Sequence, residues 1–215
     1  MNAQPKLLYH HACEHLVYRL NDVEVMEAPF PYIYVTRAFP QNYYEAILAN
    51  LPPDETYKDR TFENRMMVSV KDLNTPFWSE LYDWMSSYDL IGTLLNLFKL
   101  DCRKLSLDVR LVRDTAGYAI KPHTDIKAKL MSLLFYLPQD ESSPESGTSI
   151  MLPKDKDFTS DGKMRYAFEN FDTVTTAPFV PNTMLGFTRS DVSFHGVHPT
   201  SLPVRNVLLL NLYKV

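Results

Sequence analysis

The sequence predicts an α+β protein that is mainly β, a sandwich or jelly roll braced by helices from its N-terminal half. Three observations lead there. After about residue 100, short runs rich in Val, Leu, Ile, Phe and Tyr recur between Gly, Pro, Asn, Asp and Ser, the texture of many strands joined by turns. Before residue 100, apolar positions recur at helical spacing. The 215 residues, 45% hydrophobic and 13% aromatic, suit one domain over 1–215: a helix-rich support over 1–100 and a β core over 101–215.

At the N-terminus, His10, His11, Cys13 and His15 form a cluster that could bind zinc, but no second ligand group lies near them in sequence and a partly ordered terminal segment is the expectation. Residues 27–36 are extended, with Pro29 and Pro31 ahead of a β-rich run. Residues 39–52 form a helix: Tyr43, Ile47, Leu48 and Leu51 recur at helical spacing, and Pro52-Pro53 stops it. Residues 54–75 are polar and irregular. Pro76 opens a second helix through Phe77, Leu81, Trp84 and Met85, with Trp78 and Trp84 assigned to the core, and 89–98 continues helical.

Residues 106–113 alternate Leu107, Val109 and Leu111 with polar neighbours, the period-two pattern of a half-buried strand. Residues 130–137 are nearly all apolar, as in a strand covered on both faces, and 148–152, 183–187 and 206–213 are further strands. Residues 139–147 form a surface loop. A long polar segment, 153–181, interrupts the series and is expected to be a lid over the substrate, with Arg165, Tyr166, Phe168 and Phe171 as contacts.

The net charge of −4 lacks the basic balance of a general nucleic-acid binder. The longest apolar run is too short to span a bilayer, and the first residues carry no apolar signal segment. Two distant cysteines, Cys13 and Cys102, make no disulfide framework. The expectation is a cytoplasmic protein with no nucleic-acid or membrane partner; no oligomeric state is read from it.

The chemistry concentrates in the run Gly117 to Asp125. His123 and Asp125 stand two apart, so in an extended chain both point to one face and can meet a single metal. A third donor, His195, follows the strand at 183–187. Two His and one carboxylate leave open positions on octahedral iron, the ligand set of non-heme Fe(II) oxygenases. His198 is a competing donor, less well placed relative to Arg205. Arg205 lies ten residues beyond His195 and can grip a carboxylate with two parallel hydrogen bonds.

Over about residues 105–215 this order of His-Thr-Asp, distal His and Arg resembles the Fe(II)/2-oxoglutarate-dependent dioxygenase superfamily, nearest its prolyl-hydroxylase-like branch. The likeness extends to Gly117 and Tyr118 before the ligand strand and to Lys129 opening the strand that ends Phe135-Tyr136-Leu137-Pro138. It also takes in Gly147-Thr148 and the final strand from Arg205. It implies a cupin-like double-stranded β-helix, with iron on His123, Asp125 and His195 and with Fe(II), 2-oxoglutarate and dioxygen as reactants, ascorbate supporting turnover. It further implies a hydroxylase, or a related desaturase or cyclase, releasing succinate and carbon dioxide. Arg205 would hold the co-substrate, with Tyr118, Arg113 and Lys129 as further contacts. A small or carrier-bound substrate is preferred; a peptidyl proline or a non-catalytic metal-binding module are the alternatives. Val207 stands where many relatives carry a helper Ser, and Arg113 where many carry Tyr. Asp125 argues against a halogenase. Lys121, Lys127 and Arg189, with Lys129 and Arg113, could surround the site with positive charge; Lys121 and Lys127 are read as solvated strand ends.

Overall fold

A computed structural model describes residues 5–58 and 63–215, with side chains from residue 11 onward. In chain order it contains helix α1 (Pro5–Asn21), strand β1 (Tyr32–Thr36), α2 (Gln41–Ala49), β2 (Arg65–Ser69), α3 (Pro76–Met85) and α4 (Tyr88–Leu97). The strands β3 (Leu105–Asp114), β4 (Ile120–His123), β5 (Lys129–Tyr136), β6 (Thr148–Pro153), β7 (Phe171–Ala177), β8 (Thr183–Thr188), β9 (His195–Val197) and β10 (Arg205–Lys214) follow. A six-stranded sheet has the order β1-β8-β5-β10-β3-β2 and a four-stranded sheet the order β4-β9-β6-β7, with every pairing antiparallel. From β3 to β10 the pairing is nested: first with last, second with seventh, third with sixth and fourth with fifth.

Parity along β3 and β10 builds two different surfaces. Val109, Leu111, Leu208, Leu210 and Leu212 join Ala12, Leu16, Ile47, Trp78, Leu81 and Leu90 in one core, so the helices cover one face of the large sheet. Asp108, Arg110, Val112, Val207, Leu209 and Asn211 point the other way and line a cavity. The expected core aromatics are satisfied there: Trp84 Nε1 donates to the Tyr43 hydroxyl at 2.9 Å and Trp78 Nε1 to the Asn50 carbonyl at 3.1 Å. Helices α3 and α4 start where Thr75 and Ser87 accept from the Trp78 and Leu90 amides.

Three expectations are corrected. Around the cluster at 10–15 the chain is helix α1, held by Ala12, Leu16 and Leu20 in the core. The side chains of the disfavoured zinc alternative diverge: Cys13 is buried beside Ser87, His15 Nε2 contacts the Arg37 carbonyl at 2.9 Å, and His11 faces Glu14; the His10 side chain lies outside the described residues. The stretch read as irregular contains β2, which pairs with β3. The presumed lid includes β7, an edge strand of the small sheet, which leaves 154–170 as the connection. Cys13 and Cys102 are free thiols. Among the described residues no helix is long and apolar enough to cross a membrane.

Candidate metal centre

His123 and His195 face each other in register across the β4–β9 pair, their ring centroids 4.4 Å apart. Strand β4 ends at His123; the next residue, Thr124, is fully buried, and Asp125 brings its carboxylate to the two histidines. His123, Asp125 and His195 each offer a ligand atom within 4.8 Å of the others. The Nδ1 atoms of His123 and His195 lie 3.0 Å from the carbonyls of Lys121 and Ser193. A carbonyl only accepts, so each Nδ1 carries the proton and each Nε2 keeps its lone pair for a metal.

Electrostatics favour the same state. Burial, then the neighbouring His195, pushes the His123 imidazole down to about 3. Burial likewise lowers His195. Burial alone would raise the Asp125 carboxyl, but Lys129, His195 and His123 outweigh it and hold it well below the usual carboxylate range. At neutral pH the three groups are two neutral imidazoles and one carboxylate, the protonation state that binds a divalent cation. Lys129 Nζ donates to Asp125 Oδ1 and the Ser132 hydroxyl to Oδ2, both at 2.9 Å, which fixes the carboxylate's plane.

A cavity of about 510 Å³ between the sheets contains this cluster. Elsewhere in its lining are three polar atoms buried without a partner: Arg205 Nη2, Tyr118 Oη and Thr148 Oγ1. Such atoms cost free energy unless something binds them. Arg205 is wholly buried; its Nε donates to the Ser146 carbonyl and its Nη1 to Asp114 Oδ2, each at 2.7 Å. Burial pushes the Tyr118 phenol up to about 12, so at neutral pH it is a donor. This lining suits an anionic oxygen ligand that takes hydrogen bonds from a guanidinium and from hydroxyls. The His-Asp-His donors and these orphaned groups fit Fe(II) with a dicarboxylate beside it.

Residues 154–170 are fastened to the ligand strand. Tyr166 N donates to the Pro122 carbonyl at 2.8 Å and Thr124 Oγ1 to the Ser160 carbonyl at 3.2 Å. Gly162 adopts φ +84° against the Asp125 backbone, where a Cβ would collide with the Asp125 carbonyl. Of the expected lid contacts, Arg165 lines the cavity. Tyr166 and Phe171 pack instead with Phe158 and Phe194, and Phe168 stacks on His198.

The other sequence candidates separate. His198 lies outside the cluster, 3.3 Å from Thr173 Oγ1. Lys129 reaches the cavity but is engaged with Asp125. Arg113 does not reach it: its odd position on β3 sends the side chain to the helix-facing side, where it pairs with Asp54 and Asn206 and lies over the Tyr57 ring. Arg189 donates to the Asp125 carbonyl and pairs with Asp191. Lys121 is exposed, as expected for a solvated strand end, and so is Lys127. Sequence reasoning missed Arg65, Asp114, Ser132 and Thr148. Period two on β3 would have pointed Asp114 to the cavity side, whereas no local signal marks Arg65.

No protein-family model matches the sequence, and no curated protein matches it. Solved structures do match in fold. A 2OG-Fe(II) oxygenase family oxidoreductase from Burkholderia pseudomallei superposes with TM-score 0.59 at 11% identity, covering 94% of this chain and 90% of that one. A Pseudomonas putida prolyl-4-hydroxylase gives 0.58 at 15% identity, over 93% and 99%. HygX from Streptomyces hygroscopicus, with nickel, 2-oxoglutarate and hygromycin B bound, gives 0.56 at 12% identity, over 100% and 88%. At these identities the likeness is one of fold.

Proposed function

We propose that this chain is an Fe(II)- and 2-oxoglutarate-dependent oxygenase, a single double-stranded β-helix domain that oxidises a C–H bond of a small or carrier-bound molecule. The nested pairing of β3 to β10 supports that architecture. The observation that carries the activity is one cavity holding both halves of the required chemistry: the His123, Asp125 and His195 donors, and the unpartnered Arg205, Tyr118 and Thr148 groups. Bound Fe(II) with 2-oxoglutarate would supply the oxidising power, dioxygen and the keto acid yielding succinate, carbon dioxide and oxidised substrate.

The chain's own residues do the rest. Arg205, Tyr118 and Thr148 seat the distal carboxylate, and the last two replace the Ser hydroxyl that Val207 lacks. Lys129 and Ser132 orient Asp125. Val112, Leu134, Phe187 and Val207 form apolar walls that limit water. Lys163, Met164 and Arg165 on the fastened connection form the substrate-facing wall. A fixed wall favours a compact substrate, as does the hygromycin B bound to one neighbour. The Pseudomonas prolyl-4-hydroxylase makes a peptidyl proline the second reading. A cytoplasmic location accords with two free thiols.

Purified protein with Fe(II), ascorbate and 2-oxoglutarate should form succinate slowly without substrate and faster with the right one, and a panel of metabolites and proline peptides read by mass shift then names it. Failure to bind iron, with no succinate across the panel, would refute the oxygenase reading in favour of a non-catalytic module.

A further inference from the structure

Deeper than the metal ligands, two guanidiniums share one carboxylate. Asp114 is wholly buried at the end of β3. Arg65 on β2 grips it with two bonds, Nε to Oδ1 at 2.6 Å and Nη2 to Oδ2 at 2.9 Å. Arg205 on β10 adds Nη1 to Oδ2 at 2.7 Å. Register explains the convergence, since Asp114 is the cross-strand partner of both Arg65 and Arg205. The Arg65 guanidinium also lies 4.2 Å from the centre of the Tyr118 ring. Arg65 therefore touches both the carboxylate that holds Arg205 and the phenol that stands beside it in the cavity.

We infer that Arg65 and Asp114 are positioning residues for the co-substrate's distal carboxylate, an inference that rests on the oxygenase reading. Ser146 and Asp114 hold two of the three nitrogens of Arg205, so the plane of its guanidinium is set and Nη2 remains as the donor for a ligand. Arg65 holds Asp114 in turn and braces Tyr118. Two cations and one anion leave a single positive charge, which one carboxylate neutralises. Were Asp114 only a counter-charge, removing it would raise the positive charge and tighten a dicarboxylate. As a positioning residue, its loss must weaken binding despite that added charge.

The test measures equilibrium binding by calorimetry to nickel-loaded protein, with 2-oxoglutarate and with 2-oxopentanoate, the same chain without its distal carboxylate. Asp114→Asn should weaken 2-oxoglutarate by at least about tenfold. It should leave 2-oxopentanoate within about twofold, because the defect is confined to the distal end. Arg65→Gln, at a partly exposed edge-strand position, should show the same selective loss in smaller measure, and it carries the test alone if Asp114→Asn does not fold. Unchanged or tighter 2-oxoglutarate binding overturns the inference, and so does equal weakening of both ligands. If wild-type protein binds nickel but neither acid, it is the oxygenase reading that fails.

Discussion

On the face of the six-stranded sheet that meets the helices, β3 and β10 present Val109, Leu111, Leu208, Leu210 and Leu212. On the face that meets the smaller sheet, the same two strands present Asp108, Arg110, Asp114, Arg205 and Asn211. The first face obeys packing, with apolar groups removed from water and indole nitrogens given partners. The second retains an ion-paired carboxylate and a buried guanidinium with an empty nitrogen, and the cavity it lines also holds the unpartnered Tyr118 and Thr148 hydroxyls. Burying such groups is costly. The difference locates function: a strand whose polar side faces another sheet rather than solvent is keeping that side for a ligand.

Substitutions on the two faces should therefore separate stability from binding. The largest effect belongs to His123→Ala, which should lower Fe(II) affinity by more than the roughly 10–100-fold cost of losing an outer-shell partner, and abolish succinate formation. Iron retained at wild-type stoichiometry would remove His123 from the centre. Leu210→Ala on the opposite face should cost about 2–5 kcal/mol of unfolding free energy through the cavity it leaves. Denaturant titration measures that cost, and the fraction still folded should bind 2-oxoglutarate as wild type does. Arg205→Ala should weaken 2-oxoglutarate by about 1.5–3 kcal/mol, the worth of a hydrogen bond to a charged group, with iron affinity nearly unchanged. Parallel losses of iron and co-substrate would mean that the cavity had rearranged.

The sequence exposed these two faces unevenly. Alternation along 106–113 located one strand, the β-type run of 206–213 located the other, and the residue types at 123, 125, 195 and 205 singled out side chains that the structure brings to one cavity. What it hid was which side of a half-buried strand is wet. Polar neighbours of Leu107, Val109 and Leu111 look solvent-facing until the second sheet is in place. Arg65 was out of reach because β2 is five residues long and is held by pairing with β3, some 45 residues on. Strand β9 has three residues, too few for any periodicity. Residues 171–177 form an edge strand with Asp172, Thr173 and Val174 exposed in succession, so it lacks the period-two alternation of a half-buried strand.

Arg113 gives the smallest expected effect and the sharpest use of the comparison, because it neighbours Asp114 on the same strand and faces the other way. Its contacts are the Asp54 carboxylate, the Asn206 side chain and the Tyr57 ring, all on the helix side. Asp54 is largely exposed, and an ion pair to an exposed partner contributes at most about 1 kcal/mol. Arg113→Ala should therefore lower the melting temperature slightly and leave 2-oxoglutarate affinity within about twofold. A loss comparable to that of Arg205→Ala would mean that parity on β3 does not divide binding from packing. An unchanged co-substrate affinity beside a selective loss in Asp114→Asn would place that division between two adjacent residues.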